Sequence, residues 1–354
     1  MSTRIIDTAN LAEALENELT ATEHCGLFVV TDSNVKEMVL PRLASVLQKH
    51  KASIISFTAG EENKNLETLS QIWRKLSDNG ATRKSLIINL GGGVVTDLGG
   101  FAAATFKRGI QFINIPTTVL GAVDAAVGGK TGIDFNGLKN EVGAFAMPKA
   151  VMISSEPLCT LPQREIKSGF GEIVKTALIT SENFYALTLS ENILSDNDSL
   201  RNVMTMSIAE KQRITDEDPL EKGLRKILNF GHTAGHAFET MMMARGATVS
   251  HGEAVANGIL VALILSHMLT GMSSGEIYRY RDGILRRHFT PIAFGCKDYE
   301  ELTRLISHDK KNPSAGDIRF VLLESIGKPL IDIPVTVPDL HTAFDIYRDL
   351  TGIG

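Results

Sequence analysis

Leu86-Ile87-Ile88-Asn89-Leu90-Gly91-Gly92-Gly93-Val94-Val95-Thr96-Asp97 is the stretch on which the fold turns. A short run of branched apolar residues suits a strand buried on both faces, and the glycines after it suit a tight turn into a helix. Such a turn lets the backbone approach a pyrophosphate, whose charge the helix amino terminus favours. The match to a dinucleotide fingerprint is imperfect, because Thr96 stands where its third glycine would be. The best strand-end acid, Asp32 in Thr31-Asp32-Ser33-Asn34, also precedes the glycines instead of following them. A plain tight turn, with Asp32 as a helix cap, accounts for the same residues.

Moving outward, residues 27–31, 53–57 and 112–115 read as further strands. Helical patterns run from the first of these to about Lys49 and over 66–76. This alternation predicts parallel strands with helical crossovers, an open α/β sheet. After about residue 160 helical patterns dominate as far as about 310, and 318–323 followed by Gly327-Lys328 reads as a late hairpin. The expected division is an α/β domain over 1–157 and a mainly α-helical domain over 158–354.

Composition bounds the function. With 354 residues, 43% apolar and 22% charged, the chain is long enough for two packed cores. A net charge of −5 argues against a general nucleic-acid binder, so a bound anion must be held by a local group of cations. Cys25, Cys159 and Cys296 are scattered and odd in number, which suits a reducing cytoplasm and offers no thiolate zinc site. The longest apolar run, 259–265, is too short to span a bilayer. The expectation is a soluble cytoplasmic protein with no nucleic-acid or membrane partner.

In the helical half, Arg225, Asn229, His232 and His236 follow spacings of four, three and four, which on one continuous helix form a single stripe with Glu239 on its edge. Ser250-His251-Gly252-Glu253 offers a third imidazole, and Glu172 and Lys175 share a helix face. A cation, an amide and imidazoles on one face suit a metal, an anion or both. Lys130, Lys139 with Asn140, Lys211 and Lys310-Lys311-Asn312 lie in or beside apolar or glycine-rich segments. Singly, each lysine fits a solvated surface position, and a histidine pair fits a structural role. Jointly they suit a phosphorylated, carboxylated substrate beside a metal and a nucleotide. Gly128-Gly129-Lys130-Thr131 is not a phosphate loop, because Asp124 stands where its leading glycine must be.

With these residues in place, the chain resembles the 3-dehydroquinate synthases, sugar-phosphate cyclases of the shikimate pathway. The likeness runs from Thr31-Asp32-Ser33-Asn34 through Gly60-Glu61-Glu62-Asn63-Lys64, the 91–97 turn and Pro116-Thr117-Thr118-Val119-Leu120-Gly121-Ala122-Val123-Asp124. It continues through the Lys130 segment, Thr160-Leu161-Pro162-Gln163-Arg164-Glu165, the Glu172 helix and both histidine blocks to Asp309-Lys310-Lys311. Thr96 and Asp134 depart from the family's frequent glycine and asparagine.

The resemblance implies an amino-terminal Rossmann-like nucleotide-binding domain and a carboxy-terminal α-helical metal-binding domain. It implies a divalent metal, zinc or cobalt, on Glu172, His232 and His251. NAD contacts are implied for Asp32, Asn34, Glu61, Lys64, Gly92, Gly93, Val94, Asp97, Thr117, Thr118, Leu120, Asp124, Lys139 and Thr160. Catalytic and substrate-binding roles fall to Arg108, Asp124, Lys130, Lys139, Asn140, Lys175, Lys211, Arg225, Asn229, His236 and one late lysine, Lys310 in preference to Lys311. His236 is thereby assigned to substrate and not to metal. A homodimer is implied, with Arg108 reaching the partner subunit's site.

The implied reaction turns 3-deoxy-D-arabino-heptulosonate 7-phosphate, a phosphorylated sugar acid, into 3-dehydroquinate and phosphate. It proceeds by transient oxidation with NAD, phosphate elimination, re-reduction and internal aldol closure. Competing readings are another sugar-phosphate cyclase (an inosose or valiolone synthase), a metal-dependent alcohol dehydrogenase resembling glycerol dehydrogenase, and a binding module without turnover.

Overall fold

The computed structural model describes residues 3–136, 138–307 and 318–353. The chain forms two compact units, Met1–Pro162 and Gln163–Gly354. In the first unit the elements run β1 (Arg4–Thr8), α1 (Leu11–Ala21), β2 (Leu27–Asp32), α2 (Ser33–Met38), α3 (Ala44–Lys49), β3 (Ser53–Phe57), α4 (Leu66–Asp78), β4 (Leu86–Gly91), α5 (Gly93–Thr105) and β5 (Gln111–Pro116). The strands β6 (Lys130–Phe135), β7 (Leu138–Phe145) and β8 (Ala150–Ser154) follow.

Among the described residues, six strands form one parallel sheet in the order β1-β8-β5-β4-β2-β3. Period-two alternation sends Leu86, Ile88 and Leu90 to one face with Leu11, Leu15 and Val46, and Ile87 to the other with Leu69, Ile72 and Leu98. Two apolar cores on opposite faces of one sheet make a three-layer α/β/α unit. The connection after β2 leads towards β3 on one side, and that after β4 leads towards β5 on the other. The β2–β4 boundary is therefore the topological switch point, where sheets of this kind open a crevice at the carboxyl ends of their strands. Asp32 and the 91–93 turn both lie there.

Strands β1 and β8 and the β6–β7 hairpin add to those expected from the sequence, although β8 (Ala150–Ser154) is itself a wholly buried apolar run. Strand β1 is only partly buried, and β7 is exposed along almost its whole length, so neither shows a clean apolar face. They become strands through pairing, β1 with β8 and β7 with β6.

The second unit contains α6 (Gln163–Thr180), α7 (Glu182–Thr188), α8 (Asn197–Glu217), α9 (His232–Ala244), α10 (His251–Thr270), α11 (Ser274–Tyr280), α12 (Arg286–His288), α13 (Tyr299–Ser307), β9 (Arg319–Ser325), β10 (Lys328–Pro334) and α14 (Val337–Thr351). Helix α10 is its axis. Ser250 caps it by accepting from the Glu253 N–H, Gly271 ends it in the left-handed region at φ +78°, and every residue from Ala254 to Ser266 is buried. It is long and apolar enough to cross a membrane by composition, but such all-round burial marks the central helix of a globular core. Strands β9 and β10 pair antiparallel as the expected late hairpin.

Candidate active site

Three ligand-bearing side chains converge in the second unit. Glu172 on α6, His232 at the start of α9 and His251 at the start of α10 place one ligand atom each within 4.8 Å of one another. Glu172 Oε1 lies 3.3 Å from His232 Nε2 and 3.3 Å from His251 Nε2. Neither contact has hydrogen-bond alignment, so this oxygen, on a side chain only 1% exposed, is left unsatisfied. Its other oxygen accepts from Lys175 Nζ at 2.5 Å. A buried carboxylate oxygen held bare between two imidazole nitrogens is costly by itself and suits a divalent cation.

The second nitrogen of each imidazole is also occupied. His232 Nδ1 lies 3.2 Å from the Phe230 carbonyl, and His251 Nδ1 lies 3.4 Å from Glu239 Oε2. Acceptors at Nδ1 favour the tautomer that carries its proton there and leaves the Nε2 lone pair for a ligand. Glu239, buried on α9, was placed by spacing only on the edge of the stripe. The signal for its role was its distance of seven residues from His232, two helical turns along one face.

Protonation follows the same geometry. Burial raises the carboxyl of Glu172, but Lys175 and the two histidines outweigh it and hold the group well below the usual carboxylate range. Burial lowers His232 and keeps it neutral. Burial also opposes a charge on His251, but the neighbouring carboxylates of Glu172 and Glu239 outweigh it and push it up to about 10.

Glycines next to the ligands let the backbones close in. A Cβ on Gly171 would lie 2.4 Å from the Gly252 carbonyl oxygen, and one on Gly252 only 1.8 Å from that of Ser168. Helix α6 therefore meets α10 beside both Glu172 and His251. Gly231, at φ +76°, turns the chain into α9 directly before His232. This turn corrects the single stripe expected from spacing. Arg225 and Asn229 lie in a separate 3₁₀ turn, Leu224–Asn229, and only His232 and His236 share a helix. A left-handed glycine packed against Ile259 cannot continue a helix, so the spacing across it loses its meaning.

His236 stands beside the trio but outside it, its ring centroid 5.3 Å from that of His232 and 5.9 Å from that of His251. Lys175, Lys211 and Arg225 are buried in the same unit. Arg225 Nη1 donates to the Pro219 carbonyl at 2.9 Å, and Asn229 Nδ2 donates to Glu221 Oε1 at 3.0 Å. Glu221 escaped the sequence reading, because nothing in its spacing marks it. Lys310 and Lys311 lie outside the described residues.

In the first unit the candidate residues form two groups. Asp32 ends β2 and caps α2, its Oδ1 accepting from the Val35 N–H at 2.9 Å, with Asn34 in the same first turn. Gly92 is the amino-cap of α5, which continues through Gly93, Val94 and Asp97. Thr117 N donates to the Gly91 carbonyl at 3.0 Å, and Thr118 Oγ1 accepts from the Gly121 N–H at 2.9 Å. The first bond seats the segment bearing Thr117, Thr118, Leu120 and Asp124 against the glycine turn, and the second folds that segment on itself.

The second group centres on Lys64, 3% exposed, whose Nζ donates to Asp97 Oδ2 and to Asn140 Oδ1, each at 2.5 Å. Burial would depress the Lys64 ammonium, but the carboxylates of Asp97 and Glu61 reverse this and raise it. Burial lifts the Asp97 carboxyl despite Lys64. Lys139 Nζ lies 3.7 Å from Glu61 Oε1, and Asp134 Oδ1 accepts from the Asn140 N–H at 2.8 Å, holding Asn140 in a left-handed conformation at φ +51°. Lys130 begins β6 and Thr160 closes the 3₁₀ turn Pro157–Thr160. Arg108 is exposed in a turn where Lys107 and Arg108 both have positive φ, 50° and 70°.

The fold is that of the sugar-phosphate cyclases. The chain superposes on a 2-epi-5-epi-valiolone synthase from Streptomyces hygroscopicus, solved with NAD+ and Zn2+, at a TM-score of 0.88 and 24% identity, covering 99% of this chain and 97% of that one. It superposes on a 2-deoxy-scyllo-inosose synthase, complexed with carbaglucose-6-phosphate, NAD+ and Co2+, at 0.85 and 26%, covering 98% and 96%. Within that class the sequence is decisive. Residues 54–168 match the 3-dehydroquinate synthase N-terminal family and 169–312 its C-terminal counterpart. The 3-dehydroquinate synthase of Parabacteroides distasonis is 44% identical over 351 residues, 99% of each chain. The chain belongs to the 3-dehydroquinate synthase family, and its activity is 3-dehydroquinate synthesis in the shikimate pathway.

Proposed function

We propose that this enzyme works with a zinc or cobalt ion on Glu172, His232 and His251 and with NAD at the 91–93 turn, converting 3-deoxy-D-arabino-heptulosonate 7-phosphate into 3-dehydroquinate and phosphate. The observation that carries the metal assignment is the bare Glu172 Oε1 between two imidazole nitrogens. A bound divalent ion supplies positive charge to a substrate hydroxyl oxygen, and a bound nicotinamide supplies reversible hydride acceptance.

The chain's own residues do the rest. Lys175, Lys211 and Arg225 suit a ligand with two anionic ends, carboxylate and phosphate, which must be desolvated and held in register. Asn229 and His236 offer further polar contacts, His236 beside the metal group. Lys130, Lys139, Asn140, Asp124 and Arg108, with Lys310, complete the substrate set proposed from the family. Asp32, Asn34, Glu61, Lys64, Gly92, Gly93, Val94, Asp97, Thr117, Thr118, Leu120 and Thr160 are assigned to NAD, with Asp124 and Lys139 serving both ligands. The switch-point location of Asp32 and the glycine turn supports that half. We further assign the enzyme to a homodimer in the cytoplasm.

Incubating metal-loaded protein with the heptulosonate phosphate and substoichiometric NAD tests the reading. Phosphate and dehydroquinate should form in excess of NAD without lasting absorbance from NADH. Folded, metal-loaded protein that forms no product would overturn it.

A further inference from the structure

Two asparagines in the middle of a buried sheet have no part in the assignments above. Asn89 in β4 and Asn114 in β5 are 0% and 3% exposed and stand opposite each other in the β4–β5 ladder, flanked by Ile87, Ile88, Ile113 and Ile115. Asparagine is a poor strand former, and a buried amide without full compensation is costly. An apolar pair would serve if the strands had only to associate.

The hydrogen bonds show what the pair reaches. Asn89 Nδ2 donates to Asn114 Oδ1 at 2.9 Å, and Asn114 Nδ2 donates to the Ala126 carbonyl at 3.0 Å. Ala126 closes the π-helical turn Gly121–Ala125, which carries Asp124. That turn lies directly on the glycine turn. A Cβ on Gly121 would be 3.4 Å from both Gly92 C and Gly93 N, and one on Gly93 would be 3.4 Å from Ala125 Cβ. On its other side Asn89 abuts α5, where a Cβ at Gly99 would fall 2.0 Å from Asn89 Oδ1. Asn89 Oδ1 itself has no hydrogen-bond partner. A core designed for stability alone would not leave it so.

We propose that Asn89 and Asn114 are positioning residues for the nucleotide site, which lock the 121–126 turn and its Asp124 onto the Gly92–Gly93 turn. The proposal rests on the reading of that glycine turn as the NAD site. Replacing both asparagines with apolar residues of similar shape removes their mutual bond without orphaning either amide and leaves only the Ala126 carbonyl without its donor, which separates positioning from association of the strands.

The test is the Asn89→Leu/Asn114→Leu double variant, measured by calorimetric NAD titration, by metal affinity and by amide hydrogen exchange. The expected result is NAD binding weaker by about tenfold, the worth of roughly one hydrogen bond. Metal affinity should be unchanged, and exchange should quicken in residues 121–126 while β4 and β5 stay protected. If the double variant does not accumulate as folded protein, Asn114→Ser provides the same comparison. Unchanged NAD affinity in the variant, with normal binding by the parent, overturns the proposal alone. Protection lost evenly across the sheet also overturns it, since the pair would then be structural. A parent protein that binds no NAD overturns the nucleotide reading and this proposal with it.

Discussion

Gly252→Ala is the sharpest probe of how the metal group is assembled. The added Cβ would sit 1.8 Å from the Ser168 carbonyl oxygen, a backbone atom that no rotamer change can move. Carbon and oxygen settle at about 3.3 Å or more, so α10 must retreat from α6 by roughly 1.5 Å. His251 immediately precedes Gly252, and Glu172 lies on the helix left behind. Metal–ligand distances tolerate only about 0.2 Å. Such a retreat should weaken metal binding by about a hundredfold, the upper end of what losing an outer ligand contact produces. Overpacking should also destabilise the fold by about 1–3 kcal/mol. Gly295→Ala is the control, because its Cβ would meet nothing within 4 Å. Chelator competition on folded protein, with thermal unfolding in parallel, reads both quantities. If Gly252→Ala folds and binds metal as tightly as Gly295→Ala, the backbone approach of α6 and α10 does not set the site.

Other predictions follow from neighbouring contacts. Glu239→Gln removes the charge behind His251 Nδ1 and should weaken metal binding by about tenfold, whereas unchanged affinity would strip Glu239 of its role. In the metal-free protein His251, raised to about 10 from the usual 6.5, adds stability that is full below about pH 6.5 and fades as pH rises through about 10. Metal must displace that proton, so affinity should climb by up to about tenfold per pH unit across this window. Calorimetry near pH 7.5 in buffers of different ionisation enthalpy should then find about one proton released per metal, and none would contradict the assignment. Lys64→Met leaves Asp97, whose side chain is 17% exposed, without its cation and should cost about 2–3 kcal/mol, largely recovered in Lys64→Met/Asp97→Leu. A single variant as stable as the parent in denaturant unfolding would show that the pair is not compensated as described.

The parallel sheet was legible where the sequence packs apolar residues on both faces. Strands β2, β4 and β5 are such runs, β3 is an edge strand with only Ile55 and Phe57 buried, and their alternation with helices carries the α/β reading. Strands β1 and β7 were not, because β1 is only partly buried, β7 is exposed along almost its whole length, and pairing makes both strands. In the site, the residue types were readable but their grouping was not. Glu172, His232 and His251 meet across 80 residues of chain because glycines beside them admit neighbouring backbones, and no periodicity records such a contact. The break at Gly231 was hidden for a related reason. Its left-handed φ arises from packing against Ile259, while the spacing on either side still looks helical.

The division of the two adjacent histidines on α9 tests the central claim most directly. Elemental analysis of folded, dialysed protein should find close to one zinc or cobalt ion per chain in the parent and in His236→Ala. His232→Ala should retain almost none. Equal metal loss in the two variants, or metal retained in His232→Ala, would contradict the account.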